Sequence, residues 1–244
     1  MTLIGRTRAR AVDTLTLDSP HNRNALSAAL VDELAGALAD CAEDTGVRAI
    51  VLTHTGNTFC AGADLRDPPP PDALVALLRQ IVELPKPVVA RVTGHVRAGG
   101  LGLLAACDIS AASGAATFAF TEVHIGVAPA VISLPLLPRT DARALARYYL
   151  TGERLTAPEA ARIGLLTTAG DDVDATLSPV LDGLRRAAPR ALAETKALLT
   201  AKVLETFDRD AADLSALSAR LFSSAQAREG MTAFLERRDP QWVV

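Results

Sequence analysis

The chain has 244 residues, 49% of them hydrophobic and 22% charged, a composition that suits a globular protein with one large core or two smaller ones. A net charge of −3 with no basic stripe gives nucleic-acid binding no support, and no apolar run approaches the roughly 20 residues of a membrane span. The first ten residues lack the apolar stretch of a secretory signal, and Cys41, Cys60 and Cys107 are scattered without metal-ligand spacing, so buried, reduced thiols in a cytoplasmic protein are expected and no metal site is.

Residues 9–17 read as a strand or hairpin arm, with Val12, Leu15 and Leu17 apolar and Asp13-Thr14 offering turn chemistry. Ser19-Pro20-His21-Asn22 is a turn. Ser27 stands where a helix cap belongs. Leu30, Leu34, Leu38 and Cys41 follow at helical spacing, which predicts a helix over 28–43. The apolar run 47–52 predicts a buried strand, broken by Gly56-Asn57. The prolines at 68–71 exclude regular structure there. Leu74, Leu77, Leu78 and Ile81 predict a second helix that ends before Pro85 and Pro87. Residues 87–92 read as another buried strand, Gly99, Gly100 and Gly102 open a helix reaching about Cys107, and 109–112 and 117–120 read as further strands. Beyond residue 130 helices dominate. Leu145, Tyr148 and Tyr149 lie on one apolar face, Thr156 caps a helix with Pro158 in its first turn, and Leu192, Thr195, Leu198 and Leu199 mark another. A long helix follows through Leu204, Phe207, Ala211, Leu214, Leu217 and Leu221. Strands alternating with helices and then helices alone predict an α/β core over 1–185 with a helical region over 186–244.

Two segments carry more specific information. Phe59-Cys60-Ala61-Gly62-Ala63-Asp64-Leu65 follows a buried strand, and Pro85-Lys86-Pro87-Val88-Val89-Ala90 leads through Gly94 to Ala98-Gly99-Gly100-Leu101-Gly102 and Cys107-Asp108-Ile109. With Asn22-Arg23-Asn24-Ala25-Leu26, the stretch Thr151-Gly152-Glu153-Arg154-Leu155-Thr156-Ala157-Pro158-Glu159-Ala160, and Arg228-Glu229-Gly230-Met231-Thr232-Ala233-Phe234-Leu235, these motifs span nearly the whole chain in order. Together they resemble the crotonase (enoyl-CoA hydratase/isomerase) family. The resemblance implies a ClpP/crotonase-like spiral of ββα units and a C-terminal helical region used for trimerisation, as a homotrimer or a hexamer that is a dimer of trimers. It also implies an acyl-CoA or enoyl-CoA thioester substrate, with coenzyme A part of that substrate and no permanently bound cofactor.

The resemblance places two backbone N–H donors at Ala63 and Gly99. Such donors stabilise the oxyanion that forms when a thioester loses an α-proton or gains a nucleophile at its β-carbon. Small residues allow the backbone to approach the ligand, and a helix starting at Gly99 adds its dipole; the plainer reading is that these glycines only permit tight turns. Ala61 matches the position whose backbone contacts the adenine of CoA, and Ala63 and Asp64 beside it are further CoA-binding candidates. Arg23 and Arg66 lie where basic side chains approach its phosphates, or are solvated surface charges. Phe234 and Arg237 match positions that reach CoA in a neighbouring subunit.

Hydratases of the family use two glutamates. The position of one is Gly102 here, and Glu122 occupies the other. Adding water calls for one group to position and deprotonate it and for a proton delivered to the α-carbon, work that paired carboxylates share. One carboxylate suffices to shuttle a proton between two carbons, so the pattern favours isomerase-type proton transfer with Glu122 as the single acid/base. The alternatives are a hydratase with a substitute second group and a non-catalytic acyl-CoA-binding protein. His95, Arg97 and His124 lie near the expected site and read as structural or exposed residues. The shortened, proline-bearing segment between Asp64 and Pro87 leaves the acyl group undefined.

Overall fold

The computed structural model describes residues 2–244. The chain enters as an antiparallel hairpin of β1 (Ile4–Ala9) and β2 (Val12–Leu17). Its turn is at Arg10 and Ala11, both at positive φ, one step before the expected Asp13-Thr14. Asp13 is instead fully buried inside β2, where Arg6 (2.7 Å) and Arg8 neutralise its carboxylate. A paired aspartate is tolerated in a strand interior, and turn chemistry in the sequence does not reveal the pairing. Helix α1 (Ala28–Glu43) begins as expected at Ser27, whose hydroxyl accepts from the Leu30 N–H at 3.2 Å. It buries Leu30, Val31, Leu34, Leu38 and Cys41.

A repeating pattern follows. Strand β3 (Ala49–His54) leads to β4 (Thr58–Cys60) and α2 (Pro71–Glu83); β5 (Val88–Val92) leads to β6 (His95–Arg97) and α3 (Gly99–Ala106); β7 (Ile109–Ser113) leads to β8 (Thr117–Ala119) and a 3-10 turn at Thr121–Ile125. The first strand of each unit joins a six-stranded sheet in the order β1-β2-β3-β5-β7-β10, where β10 is Thr168–Gly170, parallel except at β1. The second joins a four-stranded sheet in the order β4-β6-β8-β9, where β9 is Leu155–Thr156. This is the spiral of ββα units expected from the resemblance. The chain continues through α4 (Ser133–Leu136), α5 (Ala142–Thr151), β9 (Leu155–Thr156), α6 (Ala157–Arg162), β10 (Thr168–Gly170) and α7 (Val173–Arg186) to the C-terminal helices α8 (Pro189–Phe222) and α9 (Ala225–Glu236). Among the described residues, no helix is long and apolar enough to cross a membrane.

Two expectations need correction. Pro71 is the first residue of α2 rather than part of an irregular run, because its fixed φ fits a first helical turn and the missing N–H would have no partner there. The two helices expected around Leu198 and Leu204 are one continuous helix of 34 residues. The residues between them include no glycine or proline, so nothing stops propagation. On its inner face Lys196 is buried and pairs with Asp108 at 2.8 Å, and its ammonium also donates to the carbonyls of Ile81 and Lys86. This pair pins α8 to the spiral, since a buried charge is stable only while its partners stay.

The loop before α1 is held by Asn24. Its side-chain oxygen accepts from the Ser19 N–H (2.7 Å) and its amide nitrogen donates to the carbonyls of Thr55 (3.0 Å) and Thr58 (2.8 Å). Truncation removes three backbone partnerships at once and strands the buried Ser19 N–H and Thr58 carbonyl. Asn24→Ala is expected to destabilise the fold by about 3 kcal/mol, read as a lower urea midpoint at unchanged m.

Candidate active site

Strands β4, β6 and β8 are parallel neighbours, with Cys60 opposite Val96 and Val96 opposite Phe118. The chain leaves all three at the same edge of the small sheet. The segments that follow them are Ala61-Gly62-Ala63, Ala98-Gly99 and Phe120-Thr121-Glu122.

Beyond β4, the Ala61 N–H donates to the Arg23 carbonyl at 3.1 Å. Leu26 forms an isolated parallel bridge with Ala63: its N–H donates to the Gly62 carbonyl (2.8 Å) and its carbonyl accepts from the Asp64 N–H (2.9 Å). This consumes the backbone groups flanking Ala63 and leaves the Ala63 N–H facing away from Leu26. Beyond β6, Ala98 lies at φ 45°, ψ −122°, a conformation disfavoured for a residue with a Cβ. Its N–H is tied to the Ala119 carbonyl on β8 at 3.1 Å. The turn starts α3 at Gly99, whose N–H belongs to the unpaired first helical turn. The two amides adjoin: a Cβ on Gly99 would lie 3.6 Å from the Ala63 nitrogen, and one on Gly62, which sits at φ 95°, would lie 3.4 Å from the Gly99 nitrogen. Among the described residues, neither N–H meets an acceptor.

Beyond β8, Glu122 is only 7% exposed. Its Oε2 is buried without a hydrogen-bond partner, and burial pushes the carboxyl up to about 7 from an ordinary 4.5. The 3-10 turn carrying it is held from two sides. His124 donates through Nε2 to the Thr151 carbonyl of α5 at 2.8 Å. The backbone of α9 closes so tightly that a Cβ on Gly230 would come within 2.5 Å of Ile125.

Position 102, where a second carboxylate was sought, is apolar. A Cβ on Gly102 would fall 2.7 Å from Cγ2 of Ile132 and 3.3 Å from Cδ1 of Leu78, so those side chains fill the space a glutamate stem would need. A polar group on the apolar face of α5 lies beside Phe120. Tyr149 on α5 packs edge-on against Phe120, ring centroids 4.6 Å apart, and its hydroxyl meets Ser133 at 3.2 Å. Spacing alone gives a half-buried tyrosine no signal that separates it from a core aromatic.

The remaining candidates divide. Arg23, at positive φ, and Arg66 are exposed, and Asp64 accepts from the Asn22 side chain (3.2 Å) and the Arg66 N–H (3.0 Å), so Arg23, Ala61, Asp64 and Arg66 share one rim. Phe234, 59% exposed, and Arg237 stand at the solvent-facing end of α9, away from hydrogen bonds or ion pairs of their side chains among the described residues. Arg97 donates to the carbonyls of Val96 and Thr117 and to the Thr117 hydroxyl, to which His95 also bonds, so both brace β6 against β8. The three cysteines are buried and unpaired, with burial pushing the Cys60 and Cys107 thiols up to about 12, which leaves them as weak nucleophiles.

Comparisons with known proteins converge on one family. The enoyl-CoA hydratase/isomerase family pattern matches residues 7–243. The chain is 30% identical to the 2,3-dehydroadipyl-CoA hydratase of Escherichia coli K12, covering 96% of each protein. It is 32% identical to the 1,2-epoxyphenylacetyl-CoA isomerase of the same strain, over 96% of this chain and 95% of that one. A crystal structure of an enoyl-CoA hydratase from Mycobacterium avium superposes with a TM-score of 0.93 at 52% identity over the full length of both chains. The chain therefore belongs to the enoyl-CoA hydratase/isomerase family, whose members process acyl-CoA thioesters.

Proposed function

We propose that this protein transfers a proton at the carbons next to an acyl-CoA thioester, with the Ala63 and Gly99 amides holding the enolate oxygen and Glu122 as the single acid/base. The observation that carries this reading is the buried Glu122 carboxyl, its Oε2 without a partner, on the turn that follows β8, the strand paired with β6, beyond which lies Gly99. The favoured reaction is double-bond migration. Glu122 removes a proton from C2 of a 3-enoyl thioester, the charge spreads to the thioester oxygen between the two N–H groups, and the same carboxyl returns the proton at C4 as the double bond settles between C2 and C3. Two donors aimed at the developing oxyanion contribute most of the stabilisation, about 3 kcal/mol each. The apolar wall at Gly102 supports a one-carboxylate mechanism, while the names of the relatives cover hydratases and isomerases alike.

Arg23, Ala61, Asp64 and Arg66 are proposed to hold CoA along their shared rim. Phe234 and Arg237 would reach CoA bound in a neighbouring subunit of a homotrimer or of a dimer of trimers, with residues 186–244 as the assembling region. The exposed Leu198 and Leu199 on α8 support subunit contacts there.

Glu122→Gln is expected to lower turnover of a 3-enoyl-CoA by about 10³-fold while changing acyl-CoA affinity little, checked by steady-state kinetics beside calorimetric binding; unchanged turnover removes Glu122 from the mechanism. As a base, Glu122 acts in its ionised form, so kcat/KM is expected to rise with pH through about 7 and then level off. The same burial has a stability signature. The unfolded carboxyl ionises near 4.5 and the folded one near 7, so the native protein loses stability relative to the unfolded chain as pH rises between those values. Glu122→Gln removes this loss. The variant is expected to gain up to about 3 kcal/mol over the parent at pH 8 and nothing at pH 4, measured by urea unfolding at both pH values.

A further inference from the structure

A cavity of about 140 Å³ lies where the C-terminal end of α3, the start of β7, the residues before α5 and the segment 164–167 meet. Gly164 and Thr167 in its wall are exposed, whereas Ser110 is only 5% exposed. Pockets for small organic ligands begin at roughly 300 Å³, so this space suits an ion of few atoms. Two cations and one carboxylate meet here. Asp108 is taken up by Lys196 at 2.8 Å, and its Oδ2 also accepts from the Val88 N–H at 2.8 Å. Arg139 forms no ion pair among the described residues, so one positive charge stands in excess. Burial opposes that charge and Asp108 supports it only from a distance. Arg139 makes a single hydrogen bond, from Nη1 to the Cys107 carbonyl at the end of α3, which leaves Nε and Nη2 without an acceptor. The backbone carrying it is fixed, since a Cβ on Gly164 would come within 2.6 Å of the Arg139 carbonyl oxygen. Ser110 and Thr167 hold one another reciprocally: the Ser110 N–H donates to Thr167 Oγ1 at 3.0 Å and the Thr167 N–H to Ser110 Oγ at 3.1 Å. Each hydroxyl accepts in this exchange and has one proton of its own to give, and neither proton meets an acceptor among the described residues. The wall thus presents a guanidinium fork and two hydroxyl donors with nothing from the chain to receive them. Donors and charge left unmatched away from water are costly.

We propose that this cavity is a binding site for one small oxyanion, a phosphate or a carboxylate, gripped by the Arg139 fork and by the hydroxyls of Ser110 and Thr167. A guanidinium matches the spacing of two oxygens on one such ion, and the hydroxyl protons reach the remaining lone pairs. The ion supplies the negative charge that Asp108 cannot share between two cations. The cavity is separate from the proposed thioester site: α3 begins at Gly99 and ends at Ala106, beside the cavity. The bound ion ties the residues before α5 to β7 and to the segment that leads into β10, so the occupied protein is the more stable one. The plainer role of Arg139, a cap on the carbonyl end of α3, uses Nη1 alone and asks nothing of Ser110 or Thr167.

The test is calorimetric titration of the intact chain, without CoA, with inorganic phosphate and separately with acetate at constant ionic strength. Saturable binding of one ion per chain is expected, tighter for phosphate where the site takes a tetrahedral ion and tighter for acetate where it takes a planar one. Arg139→Gln is expected to weaken that binding more than 10-fold. Ser110→Ala, which removes one donor to a charged acceptor, is expected to weaken it about 10-fold. The second variant keeps the local fold, because the Thr167 N–H also donates to the Ser110 carbonyl at 3.0 Å, so the test stands even where Arg139→Gln does not fold. Arg23→Ala and Arg66→Ala are expected to leave the titration unchanged. Absence of saturable binding by either ion overturns the proposal. So does an affinity that is the same in Ser110→Ala as in the parent, which leaves Arg139 as a helix cap, and so does a loss that follows Arg23 and Arg66, which moves the ion to the CoA rim.

Discussion

Three very short strands running side by side in one direction organise everything else in this molecule. β4, β6 and β8 contribute three residues each, too few to be stable alone. They persist because they pair with one another in the four-stranded sheet and pack against α3 and α6. Parallel pairing aligns their ends, so the segments just beyond them, which carry Ala63, Gly99 and Glu122, leave the small sheet at the same end. The bridge from Leu26 and the Ala98–Ala119 hydrogen bond fix the local directions. The positive φ at Ala98 is the local cost of turning the chain from β6 straight into α3, of order 1–3 kcal/mol for a residue with a Cβ. It persists because the pairing on both sides leaves no alternative path.

The electrostatic character of the site follows from how dry it is. Leu78 and Ile132 close over Gly102, α9 seals the 3-10 turn, and Glu122 receives no hydrogen bond from another residue to offset its burial. A carboxyl so placed is poised to change protonation near neutrality, the behaviour wanted from a group that takes and returns a proton. Arg97 and His95 both lie on β6, and their hydrogen bonds run to the backbone and hydroxyl oxygens of Thr117 on β8, so they brace the sheet.

Much of this was legible in the sequence. The Ser27 cap and the Leu30–Leu34–Leu38 stripe place α1 to the residue, because periodicity and capping chemistry agree there. The glycine-rich motifs announce the two amides because a backbone that must turn sharply and stay bare leaves a compositional trace. Of the three-residue strands only β8, expected at 117–120, left a trace; β4 and β6 are shorter than any periodic signal and have meaning only through their partners. Asp13 was misread because its local chemistry suits a turn, whereas its placement depends on Arg6 and Arg8 across the hairpin. Tyr149 was hidden for the opposite reason. Its ring behaves as the apolar pattern says, and only the Ser133–Pro129 chain behind its hydroxyl sets it apart.

The packing of α9 on the 3-10 turn has a consequence for how the protein is made. Synthesis proceeds from the N-terminus, and every strand of the spiral has left the ribosome before Gly230 does. The backbone around Ile125 and Gly126 is in close contact with Gln226 and Gly230, residues of the last helix. The segment carrying Glu122 therefore lacks one of its two supports until translation is nearly finished, while the amides of Ala63 and Gly99 depend on pairings already complete. Assembly is staged in time: the turns carrying Ala63 and Gly99 can form on the nascent chain, and the turn carrying Glu122 is locked only by the final helix.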